Sequence, residues 1–314
     1  MKVSIVVEWE TVLEGKRSRG ASCLASLRAQ LAELPSCETV VCFDPHEATE
    51  ESVRAALGGE WAGSIVIAAA PERLDYYGKK NHGFTLTSGD VVVFVDSDLI
   101  PESDWLRNLV APFADFRVSL VVGRTHLETS TLYERAVALF WIFDARDASS
   151  SLRPTRRLVS NNVAFRRALF THFPFPDRPT FRGQCSELAS LLETRRIAMY
   201  EQPSARASHP APDGVRRFFS RAWQAGHDHA FYDMLDGIAS FRQATRNWRK
   251  DIRHVRERIA ERSPLIGARS IDVIAARVLG HLYYATKAAG AFATLSFTQH
   301  PVHERDRNRS FADG

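Results

Sequence analysis

The chain has 314 residues, of which 45% are hydrophobic and 25% charged, and its formal net charge at pH 7 is +4. This composition is typical of a folded protein and excludes wholesale disorder. The mild positive charge permits phosphate-bearing ligands or an anionic membrane surface, but requires neither. No stretch of 18 or more uncharged apolar residues is present, so we expect no membrane-spanning helix.

The cysteines and the first residues indicate a cellular compartment. Cys23, Cys37, Cys42 and Cys185 show neither CxxC pairing nor the spacing of a zinc site. They are typical of free thiols in a reducing compartment, so we expect a cytoplasmic protein. The chain leads almost directly into a strand at 3–7, without the basic and apolar regions of a secretory signal.

Strand and helix patterns alternate along the first half of the chain. We predict strands at 3–7, 39–43, 64–69, 91–95 and 119–123, and helices at 18–34, 47–57, 79–87, 102–113 and 131–144. The first helix repeats Leu24, Leu27 and Leu31 at the spacing of one helix face. Repeated βα units predict a mostly parallel sheet with helices on both faces.

The pattern becomes irregular after residue 144. Residues 145–157 are polar and lack periodicity, which is typical of a mobile loop. A helix at 186–194 and a strand at 197–200 then complete the α/β pattern.

The C-terminal third has a different character. Residues 214–262 are helical in pattern and strongly basic, whereas residues 271–297 are helical and apolar. We therefore predict an α/β domain at 1–212 and a C-terminal helical region at 213–298. The residues at 299–314 have the composition of a disordered tail.

Two carboxylates, Asp96 and Asp98, directly follow the buried strand at 91–95. Ligands of open α/β sheets bind at the carboxyl ends of the strands. Because like charges repel and burial disfavours ionisation, such a pair requires compensation. Mn²⁺ or Mg²⁺ would provide it and could also hold a diphosphate. The alternative is a polar turn in which Asp98 caps the next helix.

Further polar motifs flank this pair in a fixed order. They are Glu8 and Glu10 after the first strand, Asp44 after the second, Lys79-Lys80-Asn81-His82-Gly83, Asn161-Asn162, Gly183-Gln184-Cys185-Ser186-Glu187-Leu188, and Ser208-His209. With the strand–Gly-Asp–strand–Asp-Ser-Asp block and Asn-Asn-x-x-Phe-Arg-Arg, they resemble the family 2 glycosyltransferases over residues 3–230. The resemblance implies the GT-A fold, a Rossmann-like and mostly parallel sheet flanked by helices that binds a nucleotide sugar.

The resemblance also implies a metal site. In the family the second Asp of the Asp-x-Asp motif binds the metal, and the first contacts the nucleotide ribose or reaches the metal through water. These roles correspond to Asp98 and Asp96. A His after the last strand often completes the site, which corresponds to His209, although a packed core histidine is the alternative. Mn²⁺ or Mg²⁺ is the implied cofactor.

Other residues correspond to nucleotide and substrate contacts in the family. The implied nucleobase contacts are Glu8, Glu10 and Asp44, although acids at strand ends often only cap turns. Basic side chains are the candidates for diphosphate contacts, namely Lys79 or Lys80 beside Asn81, and Arg216, Arg217 or Arg221, because guanidinium groups match phosphate oxygens. Solvated surface charges are the alternative for all of these. Asn161 and Asn162 correspond to the acceptor side, or only shape a turn.

The general base departs from the family pattern. Inverting members usually carry Gly-Glu-Asp-x-Asp/Glu-Leu, in which the Asp deprotonates the acceptor. Here Gln184 and Cys185 stand in place of Glu-Asp, and only Glu187 keeps its acidic position. Glu187 could act as the base, another group such as Asp177 or His172 could activate the acceptor, or turnover could be inefficient. Cys185, at a helix N-terminus that can lower a thiol pKa, could also be base or nucleophile; a small buried residue is the alternative.

We therefore expect a glycosyltransferase that moves a sugar from a nucleotide-diphosphate sugar, with UDP favoured, to an acceptor hydroxyl or other nucleophile. The acceptor and the stereochemical outcome stay open. The alternatives are a scaffold on a decayed transferase fold, which Gln184-Cys185 supports, and a nucleotidyltransferase, whose Gly-rich basic loop residues 8–16 do not match.

The charge and hydropathy of the sequence indicate which binding partners to expect. Spread-out charge without a recognition motif does not indicate nucleic-acid binding. The apolar residues 271–297 could make peripheral contact with a membrane, cover the core of the protein, or form a homodimer interface. Arg277 and Lys287 interrupt this stretch and argue against a span.

Overall fold

The computed structural model describes residues 1–9, 17–34, 36–61, 63–71, 74–143, 145–146, 149–178, 180 and 183–298. The predicted contact of Glu10 and the predicted tail at 299–314 lie outside these residues. Nearly all other predicted elements fall within them.

The first part of the chain alternates strands and helices, as predicted. In chain order they are β1 (Val3–Trp9), α1 (Arg17–Leu31), β2 (Cys37–Phe43), α2 (Glu50–Leu57), β3 (Ser64–Ala69), α3 (Tyr76–Thr85), β4 (Val91–Asp96), β5 (Ile100–Pro101), α4 (Trp105–Val110) with a following 3-10 helix (Ala111–Ala114), and β6 (Leu120–Leu127). The remaining elements are α5 (Leu132–Phe140), β7 (Arg153–Thr155), β8 (Asn162–Arg166), α6 (Arg167–His172), α7 (Gln184–Thr194), β9 (Met199–His209), α8 (Gly214–Leu235), α9 (Phe241–Arg262) and α10 (Ser270–Thr298).

The described strands form one sheet in the order β3-β2-β1-β4-β8-β6-β9-β5, with β7 paired to β9. Strands β3, β2, β1 and β4 are parallel. The short β-branched runs of β1 and β4 lie in the centre of the sheet. The register places Glu8 of β1 beside Asp96 of β4. The carboxyl ends of these strands therefore bring polar side chains to one edge of the sheet.

Both faces of the sheet are covered. Ile5 packs in a cluster with Leu24 of α1, whereas its neighbour Val6 packs on the other face with Phe94 and Phe170. Successive strand residues point to opposite faces, so β1 and β4 are buried on both sides.

The region around β9 differs from the prediction. The strand predicted at 197–200 continues to His209, and the loop predicted at 145–157 contains β7, which pairs with β9. The missed part of β9 buries the alanines Ala205 and Ala207 between polar residues. Alanine has low β-propensity, and therefore this strand gave a weak signal in the sequence.

The C-terminal helices α8, α9 and α10 pack with α5 around a second core cluster, which includes Phe140, Trp141 and Tyr283. The end of α5 shows how they are joined. The predicted helix at 131–144 stops at Phe140, and Arg262 of α9 donates to the carbonyls of Ala138 (3.1 Å) and Trp141 (2.8 Å). A helix end leaves carbonyls without intrahelical partners, and this buried guanidinium satisfies two carbonyls there.

Helices α8 and α10 approach each other at glycines. A Cβ at Gly226 would lie 1.8 Å from the carbonyl oxygen of Lys287, and one at Gly290 would lie 2.4 Å from that of Trp223. The inner face of α10 covers the second core cluster, to which its residues Ala276, Tyr283 and Tyr284 belong. None of the described helices is both long enough and apolar enough to span a membrane.

Candidate active site

The turn after β4 is fixed to its neighbours by backbone hydrogen bonds. Ser97 N donates to the carbonyl of Glu8 (3.0 Å), and Leu99 N donates to that of Asp96 (3.1 Å). The Arg19 side chain donates to the carbonyl of Asp98 (2.6 Å). Asp96 and Asp98 are therefore held at the carboxyl edge of the sheet, and both are buried.

Asp98 lies against His209 at the end of β9. The distance from Asp98 Oδ2 to His209 Nε2 is 3.2 Å. His209 Nδ1 lies 2.6 Å from the carbonyl oxygen of Pro210. Because a carbonyl only accepts, Nδ1 carries a proton, and the other ring nitrogen faces the carboxylate. This hydrogen bond to the backbone fixes the imidazole orientation, as is common for metal-binding histidines.

The spacing of these two atoms fits a shared divalent ion. Two ligands bonded at about 2.1 Å and near a right angle lie about 3 Å apart. Over the described residues, no group of three or more His, Cys, Asp and Glu side chains is arranged to hold a metal. Mg²⁺-type sites often have one or two protein ligands, and substrate phosphates and water supply the rest. Asp98 and His209 fit such a site.

Asp96 has a different environment. Tyr76 OH donates to Asp96 Oδ1 (2.9 Å) and Oδ2 (2.8 Å), and Lys80 Nζ forms an ion pair with Oδ1. The side chain of Lys80 is fully buried, and its ammonium lies 4.6 Å from the Tyr76 ring centroid. The alternative of a solvated Lys80 is therefore wrong, and Lys80 neutralises the first Asp of the motif.

Glu8 and Lys79 form a second buried ion pair. Glu8 is only 1% exposed and lies within β1, not in the loop after it, which corrects its predicted place. Burial raises the pKa of Glu8 to about 7, Lys79 opposes this rise, and nearby Asp96 adds to it. Lys79 is also buried and is not the solvated charge of the alternative interpretation.

Several predicted contacts serve the fold in the structure. The side-chain amide of Asn81 bonds twice to the backbone of Phe175: Nδ2 donates to the carbonyl (2.9 Å), and Oδ1 accepts from the N–H (3.2 Å). Asn162 is fully buried in the sheet, where its Oδ1 accepts from Trp105 Nε1 (2.9 Å). Asn161 Oδ1 accepts from Thr125 Oγ1 (3.4 Å). Their placement supports the alternative of a structural role.

The remaining predicted nucleotide contacts lie at the edges of this region. Asp44 follows β2, and its Oδ1 accepts from the backbone N–H of His46 (2.8 Å), which forms a turn. Arg217 and Arg221 lie on α8 and are half-buried, whereas Arg216 is exposed. The first turns of α8 follow His209 directly along the chain.

Cys185 lies at the start of α7, where its Sγ is 3.5 Å from Tyr77 OH. Burial raises the pKa of the Cys185 thiol, although hydrogen bonds to Tyr77 and Ser160 oppose the rise. This favours the alternative in which Cys185 is a small buried residue, and not a base or nucleophile with a lowered pKa. Tyr76 OH lies 3.0 Å from Ser160 Oγ, so Tyr76 and Ser160 connect Asp96 to the start of α7.

Glu187, two residues further into α7, lines a cleft between α7, α8 and α10. Its Oε2 accepts from Arg178 Nε (3.0 Å) and from Tyr232 OH (3.4 Å). The other candidate bases differ in position: His172 Nδ1 lies 2.8 Å from the carbonyl of Ala168, and the Asp177 side chain is exposed. Of the proposed bases, Glu187 is the one that lines a cleft of about 600 Å³.

Sequence reasoning missed Tyr76, Tyr77, Ser160, Arg178 and Tyr232. A signal for Tyr76 was present, because residues four apart share a helix face and Lys80 follows Tyr76 at that spacing. The others come from separate elements, and no local pattern marks them.

Comparison with known proteins identifies part of the chain. The family model described as Glycosyl transferase family 2 matches residues 21–173. Residues 21–173 carry a glycosyl transferase family 2 domain. This domain includes β4 with Asp96 and Asp98, whereas His209 and Glu187 lie beyond it. No curated protein matches the chain significantly.

Solved structures share the architecture. A mannosyltransferase, PcManGT from Pyrobaculum calidifontis, in complex with GDP-Man and Mn²⁺, is similar with a TM-score of 0.58 and 17% identity, over 95% of this chain and 88% of that chain. A mycobacterial protein is similar with a TM-score of 0.51 and 19% identity, over 76% of each chain. The predicted fold class is confirmed: the family 2 domain belongs to a GT-A type α/β structure with a mostly parallel sheet and a C-terminal helical region.

Proposed function

We propose that this protein is a metal-dependent glycosyltransferase that moves a sugar from a nucleotide-diphosphate sugar to an acceptor hydroxyl. The observation that carries the proposal is the Asp98–His209 pair, whose Oδ2 and Nε2 lie 3.2 Å apart at the carboxyl edge of the sheet. The family 2 domain supports glycosyl transfer. The metal, the donor and the acceptor are our proposal.

Asp98 and His209 would hold Mn²⁺ or Mg²⁺, which acts as a Lewis acid on the diphosphate when bound. The ion pair with Lys80 would hold the Asp96 carboxylate in place to contact the nucleotide ribose. Asp44, at the end of β2, is the proposed nucleobase contact. Arg217 and Arg221 are the proposed diphosphate contacts, because guanidinium groups match phosphate oxygens.

Glu187 is the proposed general base. In the transfer, the acceptor oxygen bonds to the anomeric carbon while the bond from that carbon to the β-phosphate oxygen breaks. The hydroxyl proton passes to Glu187, and the nucleoside diphosphate leaves. Arg178 and Tyr232 would orient the Glu187 carboxylate, as a positioned base requires.

The nucleobase is tested directly. We favour UDP, and PcManGT was solved with GDP-Man, so both belong in the panel. A thermal-shift screen of UDP, GDP, dTDP and CDP, with and without Mn²⁺, compares wild type with Asp98→Ala. A ligand at about a hundred times its Kd adds about 2.7 kcal/mol of stability. We expect an Mn²⁺-dependent shift with one nucleotide that is lost in Asp98→Ala. No shift with any nucleotide would favour the scaffold alternative.

We further propose a cytoplasmic location with peripheral contact to an anionic membrane. The buried thiols Cys23, Cys37 and Cys42 support a reducing compartment. The outer face of α10 carries an apolar stripe whose side chains are 45–56% exposed, namely Ile271, Ile274, Val278 and Leu282. The neighbouring α9 exposes Arg242, Arg246, Arg249 and Arg253. Apolar stripes beside basic residues bind anionic lipid surfaces.

Vesicle flotation tests this contact. We expect binding to phosphatidylcholine vesicles that contain phosphatidylglycerol, weaker binding to pure phosphatidylcholine, and loss of binding in Val278→Glu but not in Ser220→Glu. Absence of flotation together with a dimer mass in sedimentation would assign the stripe to the homodimer alternative instead.

A further inference from the structure

The cleft that Glu187 lines lies between α7, α8 and α10 and has a volume of about 600 Å³. Small-molecule sites commonly measure ~300–1,000 Å³. Its walls include Ser186 and Glu187 of α7, Asp228 and Tyr232 of α8, and Lys287 of α10. The cleft is therefore large enough for a ligand that bonds to both helices.

Its charge is opposite to that of the whole chain. The lining residues include four carboxylates, Glu187, Asp228, Asp233 and Asp236, and two cations. Both cations are already paired, Arg178 with Glu187 and Lys287 Nζ with Asp251 Oδ2 at 2.8 Å. Burial and the nearby ammonium of Lys287 lower the pKa of His229, which is therefore neutral at pH 7. The cleft keeps an excess of negative charge, whereas the chain carries +4.

Asp228 has hydrogen-bonding capacity that the described residues leave unused. Its side chain is 2% exposed, and Oδ1 accepts from Gln224 Nε2 (2.8 Å) and lies 3.3 Å from His227 Nδ1. Across the described part of the chain, no group donates to Asp228 Oδ2. A buried carboxylate oxygen without a donor is costly, so a donor from a ligand would be strongly favoured.

The helix dipole of α8 also favours a cation in the cleft. The last turn of α8, with Tyr232 and Leu235, lines the cleft and presents the negative end of a 22-residue helix. The positive end of α7 also borders the cleft, but Glu187 lies in its first turn and offsets it. The field in the cleft therefore favours a cation over an anion.

We propose that this cleft is the acceptor site and that its ligand is a hydroxylated molecule bearing an ammonium group, as in an amino sugar. Hydroxyl and ammonium groups donate hydrogen bonds that Asp228 and the neighbouring carboxylates would accept, and Tyr232 also lines the cleft. Phosphorylated and carboxylated acceptors are repelled. The assignment as acceptor site rests on the proposed function, in which Glu187 is the base. Glu187 lines the cleft, and Cys185 in the same helical turn contacts Tyr77, next to the residues that hold Asp96. The cleft and the donor site are therefore neighbours.

Three probes that differ in charge test the inference. Saturation-transfer NMR measures glucosamine, glucose and glucose 6-phosphate on wild type, Asp228→Asn, Asp236→Asn and a control, Asp213→Asn, which lies outside the cleft lining. We expect glucosamine to bind best and glucose 6-phosphate worst. Loss of one charge-assisted hydrogen bond should weaken glucosamine about tenfold in each cleft variant and leave the control unchanged. Because Asp236 is exposed, Asp236→Asn should keep the fold and still measure the effect of a cleft carboxylate on binding if Asp228→Asn unfolds.

The Mn²⁺-dependent nucleotide shift is recorded on the same samples. A normal shift combined with equal or better binding of glucose 6-phosphate overturns this inference alone. A normal shift with no binding of any probe, or with the glucosamine preference intact in both cleft variants, also overturns it. Loss of the nucleotide shift in wild type instead defeats the proposed function.

Discussion

The sheet edge and the cleft between α7, α8 and α10 differ in how far cations neutralise their carboxylates. At the edge, Asp96 is paired with Lys80, and Glu8 is paired with Lys79. In the cleft, carboxylates outnumber cations, and Asp228 keeps an oxygen with no donor from the described residues. The difference indicates two kinds of ligand. The edge suits an anionic ligand that arrives with its own metal ion, and the cleft suits a ligand that is itself positively charged.

The largest expected effect separates the two regions by function. Glu187→Gln keeps the shape of the cleft but removes the base, so transfer should fall by about 10²–10⁴-fold. Nucleotide binding with Mn²⁺ at the edge should stay unchanged. The matched control is Glu193→Gln on the same helix, whose carboxylate is exposed. A sugar-transfer assay that finds full activity in Glu187→Gln would remove Glu187 as base.

The next effect tests the paired charges of the edge. Lys80→Met leaves Asp96 buried without its counterion, which should cost about 3–5 kcal/mol of the free energy of unfolding. Chemical denaturation measures the loss. The exposed Lys250→Met should stay within about 0.5 kcal/mol of wild type. Equal stability of Lys80→Met and wild type would mean that the ion pair does not support the edge.

A third prediction concerns pH at a histidine outside both regions. Burial lowers the pKa of His126 from 6.5 to about 4. The unfolded chain therefore takes up this proton at higher pH than the folded protein. The contribution of neutral His126 to stability is full above pH 6.5 and is lost as pH falls through about 4. The loss amounts to at most about 3 kcal/mol.

The variant His126→Gln isolates this contribution. Denaturation from pH 7 to pH 4 should show a shallower loss of stability in the variant than in wild type. Parallel pH profiles would show that His126 does not change its protonation between the folded and unfolded states.

The smallest effect probes how the cleft is assembled. A Cβ at Gly226 would clash with the backbone of Lys287, so Gly226→Ala should force α8 and α10 apart and cost about 1–3 kcal/mol. Because Lys287 also lines the cleft, glucosamine binding should weaken, whereas nucleotide binding should not. The exposed Ser220→Ala on α8 is the control for both measurements. Unchanged melting in Gly226→Ala would contradict close helix packing.

The sequence predicted the sheet where side chains carry the signal. The β-branched run before Asp96 predicted β4 nearly to its observed bounds, and such runs predicted β1 and β3 equally well. The end of β9 was missed because alanines and polar residues form it. Its position matters for the site, since β9 carries His209 to Asp98.

The candidate site was predictable only in part. The resemblance to a family named Asp98 and His209, and the structure places them 3.2 Å apart. It could not reveal that Lys79 and Lys80 are buried, because their partners Glu8 and Asp96 lie on other elements. The cleft was missed for the same reason: its lining residues lie on three separate helices, α7, α8 and α10.

The most direct test of the central claim is a Mn²⁺ titration followed by electron paramagnetic resonance, in the presence of UDP or GDP. It compares wild type with Asp98→Asn, which removes the carboxylate charge at nearly constant size, and with His209→Gln, which removes the imidazole. We expect nucleotide-dependent Mn²⁺ binding in wild type and a loss of affinity of at least about 10-fold in each variant. Equal Mn²⁺ affinity in wild type and both variants would contradict a donor site at Asp98 and His209.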